Sequence, residues 1–153
     1  MKKHFPFVSL LLMAGIVALL FFFSGQDSEH SGGLSLKVAQ WLYKLFSLER
    51  WLALTAFHSF VRKLAHFTLF TVFGFGAAGL ASYYYNEPLC RLGIVLILGS
   101  ILAGSDEIHQ LFSAGRCGCV PDVLLDTSGA AFGFLVRCFF DWLCHTIKNK
   151  MQS

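Results

Sequence analysis

The uncharged stretch VSLLLMAGIVALLFFF, Val8–Phe23, decides the fold class of this chain. It lies inside a longer charge-free run from Phe5 to Gln26, and a helix needs about 20 mostly apolar residues to cross a bilayer. Lys2 and Lys3 precede the run. A cleaved signal peptide would have the same basic start, but no small-x-small cleavage site follows the apolar residues. We therefore expect an uncleaved membrane helix over about residues 5–24.

The composition of the chain supports a membrane location. The 153 residues are 56% hydrophobic and 14% charged, whereas soluble domains are about 45–50% apolar and about 25% charged. A chain of this length cannot bury so large an apolar excess in one core. The composition therefore argues against a soluble enzyme, a disordered chain and a nucleic-acid-binding protein, and the length predicts a single domain over residues 1–153.

Three further apolar runs predict three more membrane helices. The run over about 64–85 ends in Tyr83–Tyr85, which suits the aromatic belt of a membrane interface. The run over about 89–108 is long enough to cross only if it includes Asp106 and Glu107. The run over about 121–140 contains Asp126. We predict an all-α bundle of four transmembrane helices, with ionisable groups inside the last two.

The connection between the first two membrane helices contains an amphipathic segment. Residues 24–33 are polar and glycine-rich, which predicts a loop. Between residues 34 and 48 the apolar residues recur at helical spacing, with polar residues on the other side. Such a helix either packs against the membrane helices or lies in the plane of the interface, and we predict an interfacial helix. The apolar face comprises Leu34, Val38, Trp41, Leu42 and Leu45.

An up-and-down chain brings its unusual polar residues to one end of the bundle, opposite both termini. Asp106 and Gln110 share one helical stripe, with His109 close to it and Glu107 on its flank. Asp126 shares a stripe with two glycines at small-xxx-small spacing, which lets helices approach closely. Because a carboxylate facing lipid costs roughly 2.5–3.5 kcal/mol at the helix centre, these groups should point inward. The expected cluster comprises Arg62, Lys63, His66, Asp106, Glu107, His109, Gln110, Arg116, Asp122 and Asp126.

The order and spacing of these residues resemble the VanZ-like family of small bacterial multi-span membrane proteins, over roughly residues 10–140. The resemblance implies a place in the bacterial cytoplasmic membrane and a link to teicoplanin resistance, but no settled biochemical activity. The Cys117-Gly118-Cys119 insert departs from the family pattern. The matching motifs are Ser24-x-Gln26-x-Ser28, Arg62-Lys63-x-x-His66-Phe67, Ser105-Asp106-Glu107-x-His109-Gln110, Gly115-Arg116 and Asp122-x-x-x-Asp126-x-x-Gly129.

Basic residues at both ends of the chain favour cytoplasmic termini, which four crossings allow. They are Lys2, Lys3, Lys148 and Lys150. The connection after the first helix is basic as well, so the charge rule is not uniform along this chain. We expect both termini to be cytoplasmic and the polar cluster to face outward.

The cluster is open to four interpretations. It could be a buried polar network that fixes helix register, since such hydrogen bonds average about 0.6 kcal/mol in membranes. It could be an enzyme site for a lipid-linked envelope substrate, with Asp106, Glu107, His109 and Asp126 as acid-base candidates. The donor types would also suit a metal, but no metal-binding spacing is present.

The remaining interpretation is a binding site for an anionic or lipid-linked envelope ligand. The candidates for such contacts are Arg62, Lys63, His66, Gln110, Arg116 and Asp122, because guanidinium and ammonium groups bind phosphate well. We expect a membrane protein that binds or protects a cell-envelope component, with intramembrane catalysis as the alternative. The sequence predicts no metal ion and no other cofactor.

Overall fold

The computed structural model describes residues 6–24, 28–47, 53–112 and 118–151, with the backbone alone for 28–35. Within these ranges the chain forms five helices and no strand. They are α1 (Phe7–Ser24), α2 (Ser28–Leu45), α3 (Leu54–Tyr84), α4 (Pro88–Gln110) and α5 (Val120–Lys150). By length and composition, all except α2 can cross a membrane. The predicted all-α fold with four spanning helices is confirmed.

Two of the spanning helices are longer than their apolar runs. α3 begins at Leu54 rather than near residue 64, and α5 continues to Lys150 rather than ending near residue 140. The predicted bounds followed the apolar runs, so they left out the charged turns at the start of α3 and at the end of α5. However, a helix of 31 residues is about 46 Å long, against about 30 Å of hydrocarbon. The charged turns can therefore extend beyond the hydrocarbon without breaking the helix.

The helix between α1 and α3 begins earlier than predicted. Residues 28–33, predicted as a loop, are helical. Ser28 and Glu29 are residue types that suit a helix start. The amphipathic turns that follow sustain the helix through two glycines, although each glycine costs about 0.5–1 kcal/mol relative to alanine.

One side of α2 packs against α3, while the other side is apolar and exposed. Ala39 is fully buried, and the ring centroids of Tyr43 on α2 and Phe57 on α3 lie 5.9 Å apart. Val38 and Trp41 are exposed. Exposed apolar side chains beside a membrane bundle suit the predicted position at the interface.

Glycines bring α3 and α5 into close contact, and this pair of helices shares the largest interface in the described chain. A Cβ atom on Gly129 would lie 2.7 Å from the carbonyl oxygen of Phe67. A Cβ atom on Gly133 would lie 2.7 Å from the backbone nitrogen of Phe75. Since real Cβ contacts are essentially never that short, only glycine permits this helix separation. We call this glycine-lined contact the seam between α3 and α5. It holds the polar part of α5 against the polar part of α3.

Candidate functional site

The four spanning helices bring polar side chains together at one end of the bundle. The C-terminal turns of α1 and α4 meet the N-terminal halves of α3 and α5 there, as alternating helix directions require. We call these side chains the polar cluster. It comprises Ser24, Lys63, His66, Asp106, Glu107, Gln110, Asp122 and Asp126.

Asp106 is fully buried and joins α1 to α4. The Ser24 hydroxyl donates a hydrogen bond to Asp106 Oδ1. Gln110 Nε2, one turn further along α4, donates to Asp106 Oδ2 at 2.8 Å. Both carboxylate oxygens of Asp106 therefore have a donor within the described chain.

Asp126 is also buried, with 1% of its surface exposed, but its hydrogen bonding differs. Neither of its carboxylate oxygens has a hydrogen-bond partner among the described residues. Among the described residues, the basic group beside it is His66, whose Nδ1 lies 3.5 Å from Asp126 Oδ2 and 3.8 Å from Asp106 Oδ2. A buried carboxylate without donors is unfavourable, so this position favours either a protonated carboxyl group or a nearby cation.

Glu107 lies inside the cluster, because its side chain reaches other members from the flank of the α4 stripe. Its Oε2 accepts a hydrogen bond from the backbone N–H of Cys119 at 2.7 Å, and its Oε1 accepts from Gln110 Nε2 at 3.4 Å. Cys119 is the N-cap residue of α5, and a carboxylate is favourable at a helix N-terminus. The long side chain of Glu107 thus reaches from α4 to the start of α5.

The rim of the cluster is basic. Lys63 Nζ lies 2.7 Å from Asp122 Oδ1, and both side chains are partly exposed. Arg62 is exposed and forms no ion pair with a described residue. Between the rim and the buried acids lies a cavity of about 100 Å³. It is lined by Ser59, Arg62, Lys63, His66, Glu107, Gln110, Asp122, Leu125 and Asp126.

His109 is a predicted site residue that lies outside the polar cluster. The His109 ring packs edge-on against Phe21 of α1, with 5.4 Å between ring centroids. Its Nδ1 is buried and has no hydrogen-bond partner in the described ranges. Helical spacing placed His109 near Asp106, but the ring turns towards α1 instead. Arg116 lies outside the described residues.

Ser59 and Leu125 line the cavity without having been predicted. Ser59 lies one turn before Lys63 and two turns before His66, so helical spacing could have identified it. It was missed because the predicted helix began near residue 64. Leu125 has no polar group, and its position on the cavity wall follows from packing alone.

These features define a class: a small multi-spanning helical membrane protein with a polar pocket at one end of its bundle. The chain matches the VanZ/LLP1 family model over residues 7–141 and belongs to that family. The family membership expected from the motifs is thereby confirmed. No curated protein and no solved structure matches the chain.

Proposed function

We propose that this VanZ/LLP1 protein binds the anionic head group of a cell-envelope component in the pocket of the polar cluster. The observation that supports this most is the exposed Arg62 guanidinium, which lines the cavity and forms no ion pair with a described residue. The neighbouring cation, Lys63, already pairs with Asp122. Among the described residues, Arg62 is therefore the rim cation that has no carboxylate partner of its own.

A phosphate is the head group that this chemistry favours. Guanidinium presents planar, fixed donors that bind phosphate oxygens two at a time. The cavity of about 100 Å³ equals the volume of about three water molecules. It admits one small anionic group, and a saccharide or a lipid chain would have to remain outside it.

The position of the pocket suits a lipid-linked ligand. It lies at one end of helices that are long enough to cross the hydrocarbon, at the level where lipid head groups lie. We place both termini in the cytoplasm, on the basis of Lys148 and Lys150, so that the pocket faces the envelope. We propose that the protein protects such a component by binding it, and that this protection is its link to teicoplanin resistance.

The test is a binding measurement with two lipids that differ only in whether they carry a phosphate group. The purified protein is titrated with a polyprenyl phosphate and with the corresponding polyprenol. We expect the phosphate to bind and Arg62→Gln to weaken this binding about tenfold, since a hydrogen bond to a charged group contributes about 1.5–3 kcal/mol. Lys148→Gln, which removes an exposed cation at the far end of α5, is the matched control. Equal binding of both lipids, or an unchanged affinity in Arg62→Gln, would contradict the proposal.

Catalysis in the same pocket is the second candidate, because two cavity-lining carboxylates have unlike surroundings. Glu107 accepts a backbone hydrogen bond, whereas Asp126 accepts none from a described residue. Unlike surroundings allow two carboxylates to divide the roles of acid and base. Release of phosphate from a polyprenyl diphosphate by water, lost in Glu107→Gln, would favour the enzyme. Binding without release would favour the binding protein.

A further inference from the structure

One group of metal-ligating side chains comes together within the described ranges, at the buried floor of the pocket. It consists of His66, Asp106 and Asp126, whose ligating atoms all lie within 4.8 Å of one another. We propose that this triad binds a divalent transition-metal ion, with Zn²⁺ as the best match. This inference does not depend on head-group binding, because it concerns the side chains beneath the basic rim.

Two of the three donor separations are close to those of a zinc site, and all three are within 4.8 Å. Zn²⁺ binds imidazole nitrogen and carboxylate oxygen at about 2.0–2.2 Å, so two donors of a tetrahedral site lie roughly 3.4 Å apart. His66 Nδ1 lies 3.5 Å from Asp126 Oδ2 and 3.8 Å from Asp106 Oδ2. The three donors come from α3, α4 and α5, so a shared ion would tie these helices together.

Asp126 supplies the independent observation that points to a cation. Its side chain is buried, and neither oxygen accepts a hydrogen bond from a described residue. Its Oδ2 is instead directed towards His66 Nδ1. A metal ion would satisfy this carboxylate, which no donor of the described chain does.

The charges of the triad agree with a divalent ion. Two buried carboxyl groups face one imidazole, and when both are ionised even a protonated His66 leaves one negative charge unbalanced. Lys63 is engaged by Asp122. A divalent cation with a neutral imidazole balances both carboxylates, and buried charges require such pairing.

The surroundings also resemble those of a metal site. Ser24 and Gln110 donate hydrogen bonds to Asp106, which is how outer groups orient a ligating carboxylate. His66 and Asp126 line the cavity, which provides a route of entry and room for water. Three protein ligands with one open position are typical of catalytic zinc sites.

The test uses the full chain in detergent, freed of metal with a chelator and titrated with ZnCl₂ in the absence of added lipid. We expect one Zn²⁺ per chain by elemental analysis. Calorimetry should show binding at least about tenfold weaker in Asp126→Asn and His66→Gln, since even the loss of an outer-shell partner costs 10–100-fold. Asp141→Asn, which alters a partly exposed carboxylate on α5 outside the pocket, should bind as the wild type does.

A second measurement needs only the wild-type protein. Co²⁺ in a tetrahedral site with nitrogen and oxygen donors gives visible absorption bands, and Zn²⁺ should abolish them by displacement. Zn²⁺ binding that is equally tight in Asp126→Asn and His66→Gln would place the ion elsewhere and overturn the proposal. No binding to the wild type would overturn it as well, and neither result would bear on polyprenyl phosphate binding.

Discussion

Gly133→Ala is the substitution that most sharply tests how the site is held together. Gly133 lies in the seam between α3 and α5, two turns along α5 from Asp126. A Cβ atom at this position would meet Phe75 N at 2.7 Å and the carbonyl carbon of Thr71 at 2.9 Å. Both contacts are with backbone, so no side chain can rotate away, and the two helices must separate.

The cost follows from this geometry. Ordinary van der Waals contact begins at 3.4 Å, and overpacking of a well-packed interior typically costs about 1–3 kcal/mol. The backbone contacts place Gly133→Ala at the upper end of that range. Alanine regains up to about 1 kcal/mol of helix propensity, so we expect a net loss of about 2 kcal/mol.

Gly104→Ala on α4 is the matched control, because a Cβ atom there meets nothing within 4 Å. It should gain the helix propensity without the overpacking, so the two variants should differ by about 3 kcal/mol. The assay is reversible unfolding in mixed micelles, followed by the circular dichroism of the helices. Equal stability of the two variants would refute the view that Gly133 sets the separation of α3 and α5.

Three further predictions concern the site and the topology. Asp126→Leu should insert in the membrane and keep its helices but lose Zn²⁺ binding; unfolding of this variant would assign Asp126 a structural role. Lys63→Gln should leave thermal unfolding almost unchanged, because its ion pair with Asp122 is partly exposed, and a clear drop in the unfolding temperature would argue against this. An impermeant maleimide should label the exposed Cys119 from outside and the exposed Cys144 only after the membrane is opened; the reverse pattern would invert the topology.

Helical spacing was sufficient to predict much of the site. Asp106 and Gln110 lie one turn apart, and the structure joins them by a hydrogen bond. Asp126 and Gly129 share a stripe, and both are buried. The helical spacing of residues and the size of each side chain are local properties of the sequence. The inward faces of α4 and α5 could therefore be derived without coordinates.

The remaining features depend on contacts between helices that spacing cannot reveal. Glu107 is buried because the start of α5 offers it the Cys119 N–H. His109 turns to Phe21 because α1 packs beside α4. The approach of His66 to both Asp106 and Asp126 requires the register of three helices, and for this reason the sequence alone predicted no metal.

The distance between His66 and the two buried carboxylates tests the central claim most directly, namely that side chains from separate helices converge at one end of the bundle. Solid-state NMR on the protein in lipid can measure dipolar coupling between ¹⁵N of His66, assigned by its loss in His66→Gln, and the ¹³C-labelled carboxyl groups of aspartate. The separations of 3.5 Å and 3.8 Å between His66 Nδ1 and the carboxylate oxygens put the carboxyl carbons close enough to predict measurable dephasing, which decreases in Asp126→Leu and decreases again when Asp106→Leu is added. Absence of dephasing in the wild-type protein would contradict the convergence of these helices.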